Sequence, residues 1–211
     1  MPEKLDQEDM TEAVPKSTEA VASRNATETR GRILEAARAC FSRRSYENVG
    51  VREIGRAAGV DAALVNRYFG NKEMLFAEVV QGAFRVEEHL PESLDTLGEF
   101  LVKGVMAEGG ANDEGSTDDG FNALRLLILA AASPETAATV SAQFHAEFVA
   151  PLAKKLRGRD AELRAALIGS YVIGLATMRH LLDSPTLADA SQRKLAALAG
   201  EAIQACVQAR A

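Results

Sequence analysis

Apolar positions recur at helical spacing along most of the chain. Ile33, Ala37, Cys40 and Phe41 fall at i, i+4, i+7 and i+8, on one face of a helix predicted from about Thr29 to Ser42. Arg30, Arg32, Arg38, Arg43 and Arg44 stay off that face, and Thr27 or Thr29 can cap its start. A second, short helix begins after Gly50 with the stripe Val51, Ile54, Ala57 and Ala58. Gly59 stands where that helix must stop, since glycine takes a left-handed backbone without a Cβ penalty. Asp61 suits the N-cap of a third helix over Ala62–Tyr68. There Val65 and part of Leu64, with Val60 ahead of them, pack inward and leave Ala62, Ala63, Asn66 and Arg67 outward. Asn71 caps a fourth helix with Lys72 in its first turn.

The pattern continues as helices to the end. A fourth helix is predicted from Lys72 to about Leu90, ended by Pro91, and a fifth over Glu92–Ala107 on the stripe Leu94, Leu97, Leu101 and Val105. Residues 108–120 are glycine-rich and acidic and predict a flexible loop. A sixth helix, Phe121–Ala132, is apolar nearly all round and predicts deep burial. A seventh, Pro134–Leu156, is expected to kink at Pro151. An eighth covers Asp160–Leu182, and a ninth covers Ser191–Ala209 after the Ser184-Pro185 break. Strand-like alternation is absent, aromatics make up only 5% and there is no Trp, so the fold class is all-α with about nine helices. Residues 1–27 are polar and acidic and predict a disordered arm. Residues 28–72 form one domain and residues 73–211 a second.

Two short helices joined by a glycine-containing turn, followed by a helix with a polar outer face, fit a helix-turn-helix. Its second helix enters the major groove, where Asn66 can pair with adenine or meet the backbone, and Arg67 can reach guanine or a phosphate. Small Ala62 and Ala63 allow close approach to the groove. Tyr68 can hydrogen-bond a phosphate, and Lys72 with the free amides at its helix start can hold another.

The net charge of −6 argues at first against nucleic acid, but its distribution reverses that. Residues 1–23 carry −4, residues 24–72 carry +5 and residues 73–211 carry −7. Positive charge is confined to the DNA-reading segment, as phosphate attraction requires. Arg24 and Arg30 lie near the junction of the arm with the first helix, so the arm can reach a minor groove or touch nothing.

The series Arg30-x-Arg32-Ile33-Leu34-Glu35-Ala36-Ala37, Phe41, Tyr46, Val51-Arg52-Glu53-Ile54, Ala57-x-Gly59-Val60 and Tyr68-Phe69-Gly70-x-Lys72-Glu73 resembles the N-terminal domain of TetR-type transcriptional regulators. The resemblance covers roughly Thr29 to Phe76. It implies that Arg52 reaches a base or phosphate, that Ala62, Ala63, Asn66 and Arg67 face bases and backbone, and that Tyr68 and Lys72 touch phosphates. Asp61 stands where the family usually has Ser or Thr, and Asn66 where it often has an aromatic. Both differences leave the operator sequence open. Ser45 replaces the usual glycine before Tyr46.

The resemblance further implies a ligand pocket among the C-terminal helices, with Phe84, Phe100, Met106, Phe121, Leu124, Ile128, Phe144, Phe148, Tyr171 and Met178 as candidate lining residues suited to a small apolar effector. It also implies a homodimer through the last two helices. There Ala166, Gly169, Ser170, Ile173, Gly174, Thr177, Ala199, Ala202 and Cys206 are candidates, although small residues serve close packing within one chain equally. A softer likeness to one C-terminal subgroup of the family runs from Glu162 to Arg179.

Enzyme chemistry finds no support. His89, His145 and His180 sit in no catalytic or metal motif, and no nucleophile elbow, phosphate loop or dinucleotide glycine pattern is present. Asp113, Glu114, Asp118 and Asp119 do not have the spacing of a calcium loop. Cys40 and Cys206 are too far apart for metal spacing. No cofactor or metal is expected. Without a signal peptide or an apolar run of about 18 residues, the chain is expected in the cytoplasm, away from membranes. The expected function is a homodimeric repressor on a pseudo-palindromic operator, released by a small molecule. The alternatives are a DNA-binding regulator without a small ligand and a helical interaction module that binds no DNA.

Overall fold

A glycine-free, proline-free run from Lys16 to Arg30 lets the first helix start well ahead of the fully buried Ile33. The computed structural model describes residues 16–86, 90–91, 93–107 and 119–209. In it α1 spans Lys16–Phe41, so helix replaces the disorder predicted for residues 16–27. Local propensity outweighs the low apolar content there. The part of the predicted arm before Lys16 and most of the 108–120 loop lie outside the described residues.

After a short 3₁₀ turn at Tyr46–Asn48 come α2 (Val51–Ala58), α3 (Ala62–Phe69) and α4 (Lys72–Val80). Ile33, Ala37, Phe41, Tyr46, Ile54, Val65, Phe69, Leu75, Phe76 and Val79 form one core. The Phe76 ring meets Phe41 and Tyr46 edge-on, with centroids 5.1 and 5.3 Å apart. Helix α4 therefore shares the core of α1–α3, and the same core continues into Leu126, Leu127 and Ala130 of α6 (Asp119–Ala131).

The fourth helix is shorter than its apolar pattern predicts. It ends at Val80 rather than near Leu90, because Gln81 turns extended and Gly82 takes a φ of 80°. Residues 87–89, with His89, lie outside the described residues.

The C-terminal unit contains α5 (Leu97–Ala107), α6, α7 (Ala137–Phe144), α8 (Ala150–Lys155), α9 (Ala161–Ala176), α10 (Pro185–Ala188) and α11 (Gln192–Gln208). Helices α7 and α8 are joined by a π turn at His145–Val149. Where a kink is expected at Pro151, the structure has this π turn, in which the Ala150 N–H reaches back to the His145 carbonyl just ahead of the proline. A proline cannot donate to the preceding turn and crowds the carbonyl four residues back, which favours a local change of hydrogen-bond pattern. A second π turn, Thr177–Leu181, extends α9. Leu97, Val102, Leu152, Ala165, Ile168 and Ile203 are the fully buried centre of this unit. Helix α6 is less deeply buried than its all-apolar sequence predicts, since Leu124 and Ile128 remain half-exposed.

Arg164 is buried in this second core. Its guanidinium donates to the carbonyls of Arg157, Arg159, Cys206 and Val207, which ties the loop before α9 to the end of α11. Four carbonyl acceptors satisfy the cation without a carboxylate. The stretch Ala161–Leu181 has a mean hydropathy of 1.2 and the length to cross a bilayer. One face packs Ala165, Ile168, Val172 and Ala176 into the protein, while Leu163, Leu167, Tyr171 and Met178 are exposed on the other.

Candidate nucleic-acid interface

The turn between α2 and α3 is built from three local devices. Gly59 is left-handed at φ 69°, and the Val60 N–H bonds the Gly55 carbonyl at 2.8 Å, closing the end of α2. Gly55 lies beneath this turn: a Cβ there would meet the Val60 carbonyl at 2.9 Å, so the close approach needs glycine. Asp61 caps α3 by accepting the Ala63 N–H at 2.7 Å. Asn71 caps α4 through the Met74 N–H at 2.8 Å.

These devices fix the rotation of α3. Val65 and Phe69 point into the core, and Ala63, Asn66 and Arg67 are exposed on the opposite side with Ala62 half-exposed. Arg52 is exposed on α2, and Arg56 follows one turn later on the same face, also exposed. Arg56 escaped the sequence reasoning, although its i+4 spacing from Arg52 carries the signal. Among the described residues Arg52, Arg56, Asn66 and Arg67 have no side-chain hydrogen bond or ion pair. Exposed cations held on a rigid helix pair without internal partners are available to phosphates and base edges.

Three other cations of the segment, Arg30, Arg44 and Lys72, are engaged. Arg44 pairs with Glu53. Arg30 pairs with Glu78 and lies 4.8 Å from the centre of the Phe69 ring. Lys72, expected to hold a phosphate, places its ammonium 4.0 Å from the centre of the Tyr46 ring. Burial lowers the Lys72 pKa below the usual lysine value, partly offset by Glu135 and Glu47. Tyr68 is half-buried beside Phe69.

Known proteins place this arrangement in a family. Residues 33–79 match the family described as bacterial regulatory proteins, tetR family, and residues 95–207 match the tetracyclin repressor-like C-terminal domain. The chain belongs to the TetR family. It is 37% identical over 68 residues to the HTH-type transcriptional repressor AcnR of Corynebacterium glutamicum, a match over 32% of this chain and 36% of that protein. The chain thus spans about a third of the length of the curated relatives it matches. A putative TetR-family regulator from Rhodococcus sp. shares the fold with a TM-score of 0.61 at 18% identity, over 86% of this chain and 100% of that one. SmeT in complex with triclosan shares it with a TM-score of 0.59 at 19% identity, over 84% and 90%.

The pocket candidates of this TetR-family chain are divided by the fold. Phe84 and Phe148 are buried, and Phe144 joins them, stacked on Phe148 at 4.9 Å and edge-on to Phe84 at 5.8 Å. Met106, Leu124 and Ile128 are half-buried. Phe100, Tyr171 and Met178 are exposed, and the Phe121 side chain lies outside the described residues.

The interface candidates divide too. Ser170 and Gly174 are exposed on α9, while Ala166, Ile173, Thr177, Ala199, Ala202 and Cys206 are half-buried. Gly169 faces inward, where a Cβ would meet the Phe144 ring at 3.0 Å, so its small size serves packing within the chain. The two described histidines are engaged as well: His145 contacts Glu162 at 2.6 Å and His180 contacts the Val105 carbonyl at 2.8 Å.

Proposed function

We propose that the protein is a homodimeric, sequence-specific transcriptional repressor that binds a pseudo-palindromic operator and leaves it when a small apolar effector binds. The observation that carries the reading is the capped α3 with Asn66 and Arg67 exposed and unpartnered, beside Arg52 and Arg56 of α2. In this reading Arg52, Ala62, Ala63, Asn66 and Arg67 meet the duplex. Tyr68 and Lys72 approach phosphates at its edge, Lys72 by leaving the Tyr46 ring.

The exposed apolar row Leu163, Leu167, Tyr171 and Met178 on α9, with Leu198 on α11, supports dimerisation. Two recognition helices related by a two-fold axis fit half-sites about one helical turn or a multiple apart. Met106 and Leu124 pack against the core that includes Phe148, and Ile128 against the core that includes Phe84, and in this reading these half-exposed residues supply apolar lining for an effector. SmeT, captured with triclosan, is a neighbour in fold that holds such a compound. An effector releases the DNA only by favouring the conformation that does not bind it, and a tenfold release needs about 1.4 kcal/mol of such preference. The reading places the protein in the cytoplasm, with its operator.

Selection of duplexes from random sequence by the purified protein tests this. Enrichment of an inverted repeat is expected, and recovery of no preferred sequence overturns it.

A further inference from the structure

The connector that leaves the reading head is held by one side chain of the C-terminal unit. Just past α4 the Gly82 N–H donates to one carboxylate oxygen of Glu147 at 2.6 Å, and the Phe84 N–H donates to the other at 2.9 Å. The Val86 N–H donates to the Glu147 backbone carbonyl at 3.3 Å, and Gln143 adds its side-chain amide to the carboxylate. Three alternate amides of a non-helical segment therefore converge on one residue more than 60 positions later in the chain.

The chemistry requires a carboxylate. Both oxygens accept, each from a different backbone donor, and charge strengthens both bonds. A glutamine would turn an NH₂ group toward one of those donors. The π turn is part of the device. Glu147 stands at the middle of the five-residue turn His145–Val149. Phe144 and Phe148 flank Glu147 in the same stretch, and Phe144 packs on Phe84. A displacement of the aromatic cluster thus moves both the carboxylate and the amides that it holds.

We infer that Glu147 is a positioning residue through which the C-terminal unit sets the orientation, and hence the spacing, of the two DNA-reading heads. The inference rests on the dimeric DNA-binding reading above. Ile33, Ile54, Val65 and Phe76 lie in a core that also takes in Phe84 and reaches Leu126, Leu127 and Ala130 of α6, so the head stays folded when the Glu147 carboxylate is lost. To that shared core and the Ser133–Glu47 contact, Glu147 adds the polar link that holds the connector itself.

The test compares wild type, Glu147→Gln and Gln143→Ala on the duplex that wild type selects, on a single half-site, and on full sites lengthened or shortened by one base pair. In Glu147→Gln, full-site affinity falls about tenfold, within the usual range of coupling between sites. Discrimination against altered spacing is lost, and half-site affinity stays within twofold. Gln143→Ala shows the same pattern to a smaller degree. Amide exchange at Gly82 and Phe84 accelerates in both variants, while the α3 amides are unchanged. Unaltered spacing preference in a folded Glu147→Gln protein overturns the inference, and so does an equal fall on half-site and full site. Failure of wild type to select any duplex instead overturns the DNA-binding reading, and this inference with it.

Discussion

Gly98 on α5 lies so close to Gly200 on α11 that a Cβ built on it meets the Gly200 carbonyl oxygen at 2.0 Å. The crossing is reinforced by Gln204, which accepts from the Gly98 N–H at 3.1 Å and donates to the Leu94 carbonyl at 2.9 Å. Backbone cannot move aside as a flexible side chain can. Gly98→Ala therefore separates the helices and costs about 3 kcal/mol by overpacking, a fall in Tm of roughly 6–12 °C for a chain of this size. Gly104→Ala on the same helix meets nothing within 4 Å, and the helix-favouring alanine raises stability by about 0.5–1 kcal/mol. Thermal unfolding of the two variants checks the contrast, and equal Tm values would refute it.

The two units also meet where the Ser133 hydroxyl, in the turn between α6 and α7, donates to the Glu47 carboxylate of the 3₁₀ turn. This bond is the main reason that Glu47 titrates below the ordinary glutamate value of 4.5. A carboxyl depressed in the folded state contributes stability above its unfolded pKa, and the contribution is lost as pH falls through the folded pKa. Between about pH 5 and about pH 3, wild type loses stability more steeply than Ser133→Ala. Urea midpoints at the two pH values measure the difference, and parallel losses would contradict it.

Asp61 carries the N-cap of the recognition helix. Asp61→Ala lowers stability by about 1 kcal/mol and Asp61→Ser restores most of it, since a hydroxyl accepts the same amide. Chemical denaturation of the three proteins separates the cap from a general effect of charge. If Asp61→Ser is as unstable as Asp61→Ala, the cap is not what Asp61 supplies.

The parts legible in the sequence are those decided locally. Gly59, Asp61 and Asn71 announce the ends of α2, α3 and α4 because a left-handed glycine and a short polar cap act within a few residues. The outward face of α3 followed from Val60, Val65 and part of Leu64 packing inward, and Phe69 completes the buried side. The parts not legible depend on distant partners. Near Val80 the local stop signal is Gly82, set against an apolar pattern that runs on to Leu90, and the residue that takes up the freed amides is the distant Glu147. Small residues on the last helices read equally as contacts within one chain or between two. The fold commits Gly169 to Phe144 and Gly200 to α5, and leaves Gly174 open. Arg164 is buried through carbonyl partners of which two, Cys206 and Val207, are distant in sequence.

Leu167 is exposed at the middle of the apolar row on α9. Leu167→Glu places a charge in the proposed dimer seam and shifts the protein to monomer at micromolar concentration while its helical content stays unchanged. Sedimentation equilibrium reads this directly. A variant that stays dimeric would move the interface elsewhere.

The central claim is that the face of Arg52, Asn66 and Arg67 reads DNA, and one titration tests it most directly. The full-site duplex selected by wild type is titrated with wild type and Arg67→Ala at about 150 mM salt, where non-specific attraction is already weakened, with a scrambled duplex alongside. The account predicts tight selective binding by wild type and a loss of roughly 5- to 150-fold for Arg67→Ala, equivalent to about 1–3 kcal/mol. Equal binding of the two proteins to the selected duplex, or no preference over the scrambled one, would contradict it.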